Sequence, residues 1–185
     1  GQMVAGSLAG AAVALAFPSW PAIVLLPMTL IAGVLAGALW GGIAGWLKAR
    51  LSVNEILSTV MLNQIAFQLN LYLIRGPMID PQEVAYGTGC PQTALLPRSI
   101  WLPRIIRGTR FHWGLVIAIA FAILVYIFLW RTTIGYRMRA SGAGPQAARA
   151  AGIRVENYQI LAMAFAGGFA GLAGIVEVLG VHHRV

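Results

Sequence analysis

The sequence contains few charged residues. Only 10% of its 185 residues are Asp, Glu, Lys or Arg, and 59% are hydrophobic, whereas soluble domains carry about 25% charged residues. Between Gly1 and Leu47 there is no ionisable side chain. A bilayer-spanning helix needs about 20 apolar residues, so this stretch is long enough for two spans. Because so few charges cannot form a water-exposed surface, the composition predicts a membrane protein.

Cysteine and histidine are also scarce. Cys90 is the single cysteine, which excludes an internal disulfide and argues against a metal site built from thiolates. No nucleophile–base pair and no His/Asp/Glu cluster occurs within the apolar segments, which argues against an intramembrane enzyme. The sequence therefore predicts no catalytic residues, no metal site and no cofactor.

Lysine occurs only once. Lys48 is followed by Ala49, so the Gly-Lys-Ser/Thr ending of a phosphate-binding loop is missing and any ATP hydrolysis must come from a partner. The net charge is +8, but the arginines are distributed between the apolar segments. This distribution favours membrane topology signals over nucleic-acid binding.

Five apolar segments alternate with polar ones. The first is short for a complete crossing and is ended by Pro18 and Pro21. The approximate bounds are Gln2–Phe17, Ala22–Leu47, Val53–Ile74, Trp113–Trp130 and Tyr158–Gly180. The sequence therefore predicts an all-α, polytopic transmembrane helical bundle of about five spans, which forms one domain over residues 1–185.

The basic residues predict the orientation of this bundle. One side holds Lys48, Arg50, Arg131, Arg137, Arg139, Arg149 and Arg154, and the other holds Arg75, Arg98, Arg104, Arg107 and Arg110. The side with more Lys and Arg is usually cytoplasmic. We therefore expect residues 131–157 to be cytoplasmic and residues 75–112 to be extracytoplasmic.

Glycines recur every four residues in three of the apolar segments. Gly33, Gly37, Gly41 and Gly45 lie in the second segment, and Gly6 with Gly10 and Gly167 with Gly171 repeat the spacing. Small residues at this interval let helix backbones approach closely in lipid. The pattern predicts a close helix contact, either with another helix of this chain or with a second subunit.

The third apolar segment is unusually polar. At about 100° per residue, Glu55, Thr59, Asn63 and Asn70 share one face of a helix, with Ser58 beside them. Such a face cannot meet acyl chains, because buried polar groups without partners are costly. Two interpretations remain open: hydrogen bonds between helices, or the wall of a substrate pathway. Glu55, near the end of the segment, also suits an interfacial position.

The polar segment before the last span contains helix start and stop signals. Pro145 suits the first turn of a helix and Gly152 suits its C-terminal end. The predicted helix Pro145–Ala151 has about two turns, and so short a helix is marginal in water unless it docks. We interpret its alanine face, which includes Ala148, together with Arg149 as an exposed surface that enters a groove on a partner.

The stretch Thr133–Ile153 resembles the cytoplasmic coupling loop of ABC importer permeases of the ribose, simple-sugar, nucleoside and branched-chain amino acid class. That loop has a Leu-Gly-Phe-Arg-like start, then Arg-Ala-x-Gly, x-Pro-x-Ala-Ala and Ala-Gly-Ile. The corresponding segments here are Ile134–Arg137, Arg139–Gly142, Pro145–Ala148 and Ala151–Ile153. The family often has Asn before the proline, where this chain has Gly144. Because glycine also serves as an N-cap, we expect docking to be retained.

Two further segments are similar to the nucleoside and simple-sugar branch of this family. Its Asn-Glu-x-x-x-Thr-x-Met-Leu-Asn pattern is matched by Asn54, Glu55, Thr59, Met61, Leu62 and Asn63. Gly1, Gln2 and Met3 resemble the Glu-Gly-Gln turn that breaks an early helix within the membrane. The resemblance covers essentially the whole chain and implies an internal fragment of a longer permease, with further helices at both ends.

The resemblance implies a transport function and its residues. The chain would be a permease subunit, not an enzyme, that moves a nucleoside, simple sugar or other small polar solute by alternating access. The implied substrate-pathway residues are Gln2, Glu55, Thr59 and Asn63. The implied ATPase-coupling residues are Gly135, Arg137, Arg139, Gly142, Pro145, Ala147, Ala148, Arg149 and Gly152.

The resemblance also implies partners and a location. The partners are cytoplasmic ATP-binding subunits, a second permease subunit, identical or different, and an extracytoplasmic solute-binding protein. The location is the lipid bilayer of a bacterial inner membrane, as a multi-pass protein. The main alternative is a secondary transporter or channel without an ATPase. Ion relays usually need several buried acids or histidines, and only Glu55 and Glu177 are candidates.

Overall fold

The structure, a computed structural model, describes residues 1–80, 92–102 and 113–185. Within these ranges it contains seven α-helices, a 3-10 turn over Arg98–Ile100 and a π-helix over Val178–His182. The α-helices are α1 (Gln2–Ala16), α2 (Ala22–Leu51), α3 (Glu55–Arg75), α4 (Gly114–Arg131), α5 (Thr133–Ala143), α6 (Pro145–Ala150) and α7 (Val155–Glu177). Cys90 and the arginines Arg104, Arg107 and Arg110 lie outside the described residues.

Four of the described helices, α2, α3, α4 and α7 with its π-helical extension, are long and apolar enough to cross a membrane. Helix α1, with 15 residues, is a shorter apolar helix. The predicted all-α polytopic bundle is thereby confirmed. Helix α5 was not predicted as a separate helix. It begins after Thr132, whose side chain accepts a hydrogen bond from the backbone nitrogen of Gly135 at 3.1 Å and so caps the helix.

Helices α1, α2 and α7 form a unit that we call the glycine core. A Cβ added to Gly37 would lie 2.8 Å from the Cα of Gly171, and one added to Gly6 would lie 2.6 Å from the carbonyl oxygen of Gly171. A Cβ on Gly41 would lie 3.0 Å from the Cα of Gly167. Only residues without a side chain allow backbones to meet this closely. The partner of the glycine stripe is therefore another helix of the same chain.

Helix α4 lies at the edge of the bundle. Its Phe121 and Phe128 contact Phe169 and Phe165 of α7, with ring centroids 6.0 and 5.0 Å apart. Of its 18 residues, only Gly114 is buried. Because lipid tails are as apolar as the side chains of α4, this exposure carries no hydrophobic cost in a membrane.

Residues 92–102 cover the end of the glycine core that lies away from Lys48. Leu96, Ile100 and Leu102 are buried there together with Ile175 and Leu179. The backbone nitrogen of Leu102 donates a hydrogen bond to the carbonyl oxygen of Leu179 at 3.1 Å. This end of the core is therefore closed by the chain's own connecting segment.

Candidate functional site

A cleft opens between the start of α1, the middle of α2 and the first half of α3. Its volume is about 320 Å³, and we call it the central cleft. It brings together three of the four predicted pathway residues, Gln2, Thr59 and Asn63. Its other lining residues are Gly1, Trp40, Ala44, Val60 and Leu62.

The central cleft lies deep within the apolar part of the bundle. Asn63 is eight residues beyond Glu55, where α3 begins, and this corresponds to about 12 Å at a rise of 1.5 Å per residue. The hydrocarbon core of a bilayer is about 30 Å thick. Polar side chains at this depth are costly without partners. Their grouping around one cleft therefore indicates a site for polar groups, not a surface for lipid.

Asn63 and Trp40 supply hydrogen-bonding groups to the central cleft. The side-chain amide of Asn63 lines the cleft from α3. The indole Nε1 of Trp40 is buried and has no hydrogen-bond partner within residues 1–80, 92–102 and 113–185. A buried indole N–H usually finds a partner, so the Trp40 N–H is a polar group of the cleft wall that the described residues leave unsatisfied. Sequence reasoning missed Trp40 because one indole in a glycine-rich apolar helix carries no periodic signal.

Thr59 and Gln2 complete the polar wall of the cleft. The Thr59 hydroxyl donates to the carbonyl oxygens of Glu55 and Ile56, at 2.8 and 3.1 Å. It therefore offers the cleft an acceptor. The side-chain nitrogen of Gln2 would lie 3.1 Å from a Cβ at Gly41. Glycine at this position thus leaves room for the Gln2 amide beside α2.

Glu55, the fourth predicted pathway residue, does not line the central cleft. Its carboxylate forms an ion pair with Lys48 across the turn between α2 and α3. Asn54 caps α3 by accepting a hydrogen bond from the backbone nitrogen of Ile56 at 3.0 Å. The structure therefore places Glu55 at the N-terminal end of α3, in agreement with the interfacial interpretation.

Helices α5 and α6 form a hook, residues 133–150, at the end of the bundle that carries Lys48. At Gly135 the hook packs closely on the end of α4. A Cβ added to Gly135 would lie 2.6 Å from the Cα of Leu129. The guanidinium of Arg139 lies 3.9 Å from the centre of the Trp130 ring, which is a cation–π arrangement. These contacts fix α5 against the end of α4.

Two polar contacts join the hook to α7. Arg137 Nη1 donates to the Tyr158 hydroxyl at 3.2 Å, and this hydrogen bond holds the pKa of the Arg137 guanidinium above its ordinary value. Arg149 Nη2 donates to Oε1 of Glu156 at 2.7 Å. Both contacts are exposed, so they orient the hook more than they stabilise it.

Helix α6 begins at the predicted residue and ends at Ala150, one residue before the predicted end. Pro145 is its first residue. At its end, the backbone nitrogens of Ile153 and Gly152 donate to the carbonyl oxygens of Ala148 and Arg149, both at 2.9 Å. This is a Schellman motif. Gly152 has a φ of +79°, a conformation that glycine adopts without strain, and it therefore acts as the stop.

The exposed face of α6 differs from the prediction at one position. Ala148 is only 4% exposed, whereas Ala147, Ala150 and Ala151 are exposed and share one helix face through their i, i+3, i+4 spacing. Placing Ala148 on the exposed face was wrong, because the helical period does not tell which side of a two-turn helix meets the bundle. Gly142 is also exposed, and no atom of the described residues lies within 4 Å of a Cβ added there.

A known protein family matches almost the whole chain. Residues 1–184 match the family described as the permease component of the branched-chain amino acid transport system. The chain belongs to this permease family. Because the match excludes only Val185, every residue of the cleft and of the hook lies within it.

Several curated permeases are similar to this chain. It is 34% identical to a glucose ABC transporter permease protein of Haloferax volcanii, over 100% of the chain and 50% of the relative. It is 37% identical to a guanosine ABC transporter permease protein of Bacillus subtilis, over 97% and 51% respectively. A second guanosine ABC transporter permease protein of Bacillus subtilis is 26% identical, over 80% and 46%. The chain thus spans about half the length of the curated relatives it matches. No solved structure matches it.

Proposed function

We propose that this chain is part of the membrane-spanning permease subunit of an ABC importer. It moves a small polar solute by alternating access, and separate subunits hydrolyse ATP. The observation that carries this proposal is the convergence of Gln2, Trp40 and Asn63 on one cleft deep in the bundle. The hook lies at the end of the same bundle, where a soluble subunit can reach it.

The chemistry of the central cleft supports a neutral polar solute. Among the described residues, no charged side chain lines the cleft. The amides of Gln2 and Asn63 and the indole of Trp40 provide donors and acceptors for hydroxyl groups and ring nitrogens. A zwitterionic amino acid would leave its charges unpaired in this environment, which is costly. A nucleoside or simple sugar fits better, and two relatives are named for guanosine and glucose.

The hook is the proposed contact with a cytoplasmic ATP-binding subunit. The exposed alanines Ala147, Ala150 and Ala151 give α6 a small, smooth apolar face. A helix of six residues is not stable by itself, so a docking partner explains why it is present. Gly135 and Arg139 pack the hook against α4. Arg137 and Arg149 bond the hook to α7, and Gly152 follows the end of α6.

A continuous series of contacts connects the hook with the central cleft. Arg137 and Arg149 join the hook to the first turn of α7. Further along α7, Gly171 packs on the backbones of α1 and α2. Helix α1 carries Gln2 and α2 carries Trp40, which both line the cleft. A displacement of the hook is therefore passed to α7, and with it to α1 and α2, which carry two walls of the cleft.

The proposed importer has further parts. A second permease subunit pairs with this one, and two guanosine permeases of Bacillus subtilis that both resemble the chain support a pair of different permeases. A solute-binding protein delivers the solute from outside. The subunit is a multi-pass protein of a bacterial inner membrane, with residues 131–157 in the cytoplasm and residues 75–112 outside.

The solute pathway is tested by Asn63→Leu in the full-length permease, assembled with its other subunits. We expect nucleoside or sugar uptake to fall about tenfold or more, since the cleft loses one hydrogen-bonding partner for the solute. Gln64→Leu is the matched control, because it makes the same change one residue away on a side chain that does not line the cleft. Equal uptake by the two variants would exclude the central cleft as the pathway.

The ATPase partner and the orientation have their own tests. Copurification of an ATP-binding subunit with the full-length permease distinguishes an ABC importer from a secondary transporter. For orientation, cysteines replace the exposed residues Gln146 and Ser99 in a Cys90→Ser background. An impermeant thiol reagent added to whole cells should label Ser99→Cys and not Gln146→Cys. The reverse pattern contradicts the proposed orientation.

A further inference from the structure

A second cleft, which we call the basic cleft, lies between α5 and the start of α7. Its volume is about 480 Å³. It is lined by Tyr136, Arg137, Ala151, Gly152, Ile153, Arg154, Asn157 and Tyr158. Within the described part of the chain, no acidic residue lines this cleft, and Glu156 is already paired with Arg149. The two arginines therefore give the cleft an uncompensated positive charge.

Helix lengths place the basic cleft at the level of the lipid headgroups. Helix α7 and its π-helical extension together have 28 residues, Val155–His182, or about 42 Å at 1.5 Å per residue. The hydrocarbon core is about 30 Å thick, and about 40–45 Å with its headgroup layers. The first turn of α7, with Asn157 and Tyr158, therefore lies among the headgroups. Trp130 at the end of α4 is 58% exposed, as expected for an aromatic residue at this level.

The side chains of the basic cleft suit a phosphate group. Arg137 is oriented by the Tyr158 hydroxyl. The Arg154 guanidinium forms no hydrogen bond or ion pair within residues 1–80, 92–102 and 113–185, so its donors are free. Guanidinium groups bind phosphate oxygens with two parallel hydrogen bonds. Tyr136, 62% exposed, adds a hydroxyl donor at the rim.

We propose that the basic cleft binds the phosphate of an anionic phospholipid from the cytoplasmic leaflet. That leaflet is rich in anionic lipids, and basic clefts between transmembrane helices are typical sites for their headgroups. A bound lipid contacts both the hook and the first turn of α7, and so holds the hook at the membrane surface. This inference rests on the proposed orientation but not on the identity of the solute.

Native mass spectrometry of the full-length permease with its ATPase subunits tests the site, with phosphatidylglycerol as the probe and phosphatidylcholine as the neutral comparison. Each of Arg154→Gln and Arg137→Gln should weaken phosphatidylglycerol binding about fivefold, and the double variant about 25-fold. Arg131→Gln removes the same charge at the same membrane surface, from a residue outside the cleft. It should change binding less than about twofold.

Three outcomes would overturn the lipid site. In the first, the double variant retains phosphatidylglycerol as well as the wild type does. In the second, inorganic phosphate binds the wild type as tightly as the lipid, which would make the cleft a simple anion site. In the third, the double variant retains the lipid but loses its ATPase subunit, which would assign the arginines to a protein partner. The Arg154 guanidinium has no bonded partner among the described residues, so Arg154→Gln is not expected to disturb folding and tests lipid binding by itself. Lipid binding is measured without transport, so its failure is separate from failure of the proposed importer function.

Discussion

The glycine core and the hook are held together by different kinds of contact. In the core, backbones meet directly, as at Gly171, where an added Cβ would lie 3.0 Å from the Cα of Gly37. In the hook, exposed side chains such as Arg137 and Arg149 bridge to α7. Close backbone packing tolerates almost no added volume, whereas exposed polar contacts are weak and reversible. The comparison indicates a core that moves as one unit and a hook that a partner can reposition.

The largest effect is expected from adding one methyl group to the core. Gly171→Ala places a Cβ between the backbones of α2 and α7, and should destabilise the fold by about 3 kcal/mol because neither backbone can move aside. Gly42→Ala is the control, since its Cβ would lie 3.7 Å from the Ala164 Cβ, an ordinary contact. Thermal unfolding of the full-length permease in detergent measures both. Equal melting temperatures would refute the described contact between α2 and α7.

The next effect separates docking from folding within the hook. Ala147→Trp changes an exposed alanine of α6, and should weaken copurification of the ATPase about tenfold or more because the bulky ring no longer enters a groove. Its melting temperature should remain that of the wild type. Ala148→Trp changes a buried alanine, so it should lower the melting temperature as well.

Arg149→Ala tests how much charge contributes to ATPase binding, whereas Ala147→Trp tests the contribution of shape. It removes one exposed ion pair and should reduce copurification less than Ala147→Trp does. Unchanged ATPase binding by Ala147→Trp would show that the exposed alanine face is not the docking surface.

A smaller effect is expected at two glycines, one within the hook and one just after it, with opposite signs. Gly152→Ala puts a side chain on a residue with a φ of +79°, and should destabilise the hook by about 1 kcal/mol. Gly142→Ala adds a methyl group inside α5, where none of residues 1–80, 92–102 and 113–185 comes within 4 Å, and should stabilise the helix by about 0.5–1 kcal/mol. Hydrogen exchange of the α6 amides measures the first change, and that of the α5 amides measures the second. If the amides exchange more slowly in both variants, or faster in both, the described backbone conformations at Gly142 and Gly152 are contradicted.

The smallest change in stability is expected at the contact between the hook and α7. Tyr158→Phe removes the hydroxyl that accepts from Arg137, and should leave the melting temperature unchanged because the contact is exposed. It should nevertheless raise the ATP hydrolysed per solute transported, since the orientation of the hook on α7 is loosened. An unchanged ratio would remove this contact from the proposed coupling route.

The spans and the two ends of α6 were predictable because their signals are local. An apolar run of about 20 residues identifies a span without knowledge of its neighbours. Pro145 and Gly152 act through their own backbone preferences, and both lie where the sequence placed them. Helix α5 was missed because its cap, the Thr132 side chain, is a single residue without an accompanying apolar repeat.

The central cleft was predictable only in part. Gln2, Thr59 and Asn63 were identified from a family resemblance and a polar helix face, and the structure brings them together. Glu55 lies on the same side of α3, but its position opposite Lys48 depends on the turn between α2 and α3. Trp40 joins the cleft from a different helix, and no pattern within α2 marks it.

The sequence by itself determined that this protein is a membrane-embedded helical bundle of a permease family, because composition, apolar length and motifs are properties of single segments. It also determined that some helices pack closely, because glycines at every fourth residue make an open stripe. Only the tertiary structure decided that Gly37 meets Gly171 within one chain, that Ala148 faces inward while Ala147 faces outward, and that Trp40 stands beside Asn63. Each of these facts depends on how separate helices are rotated and placed against one another, and a helical period specifies a face without specifying what that face meets.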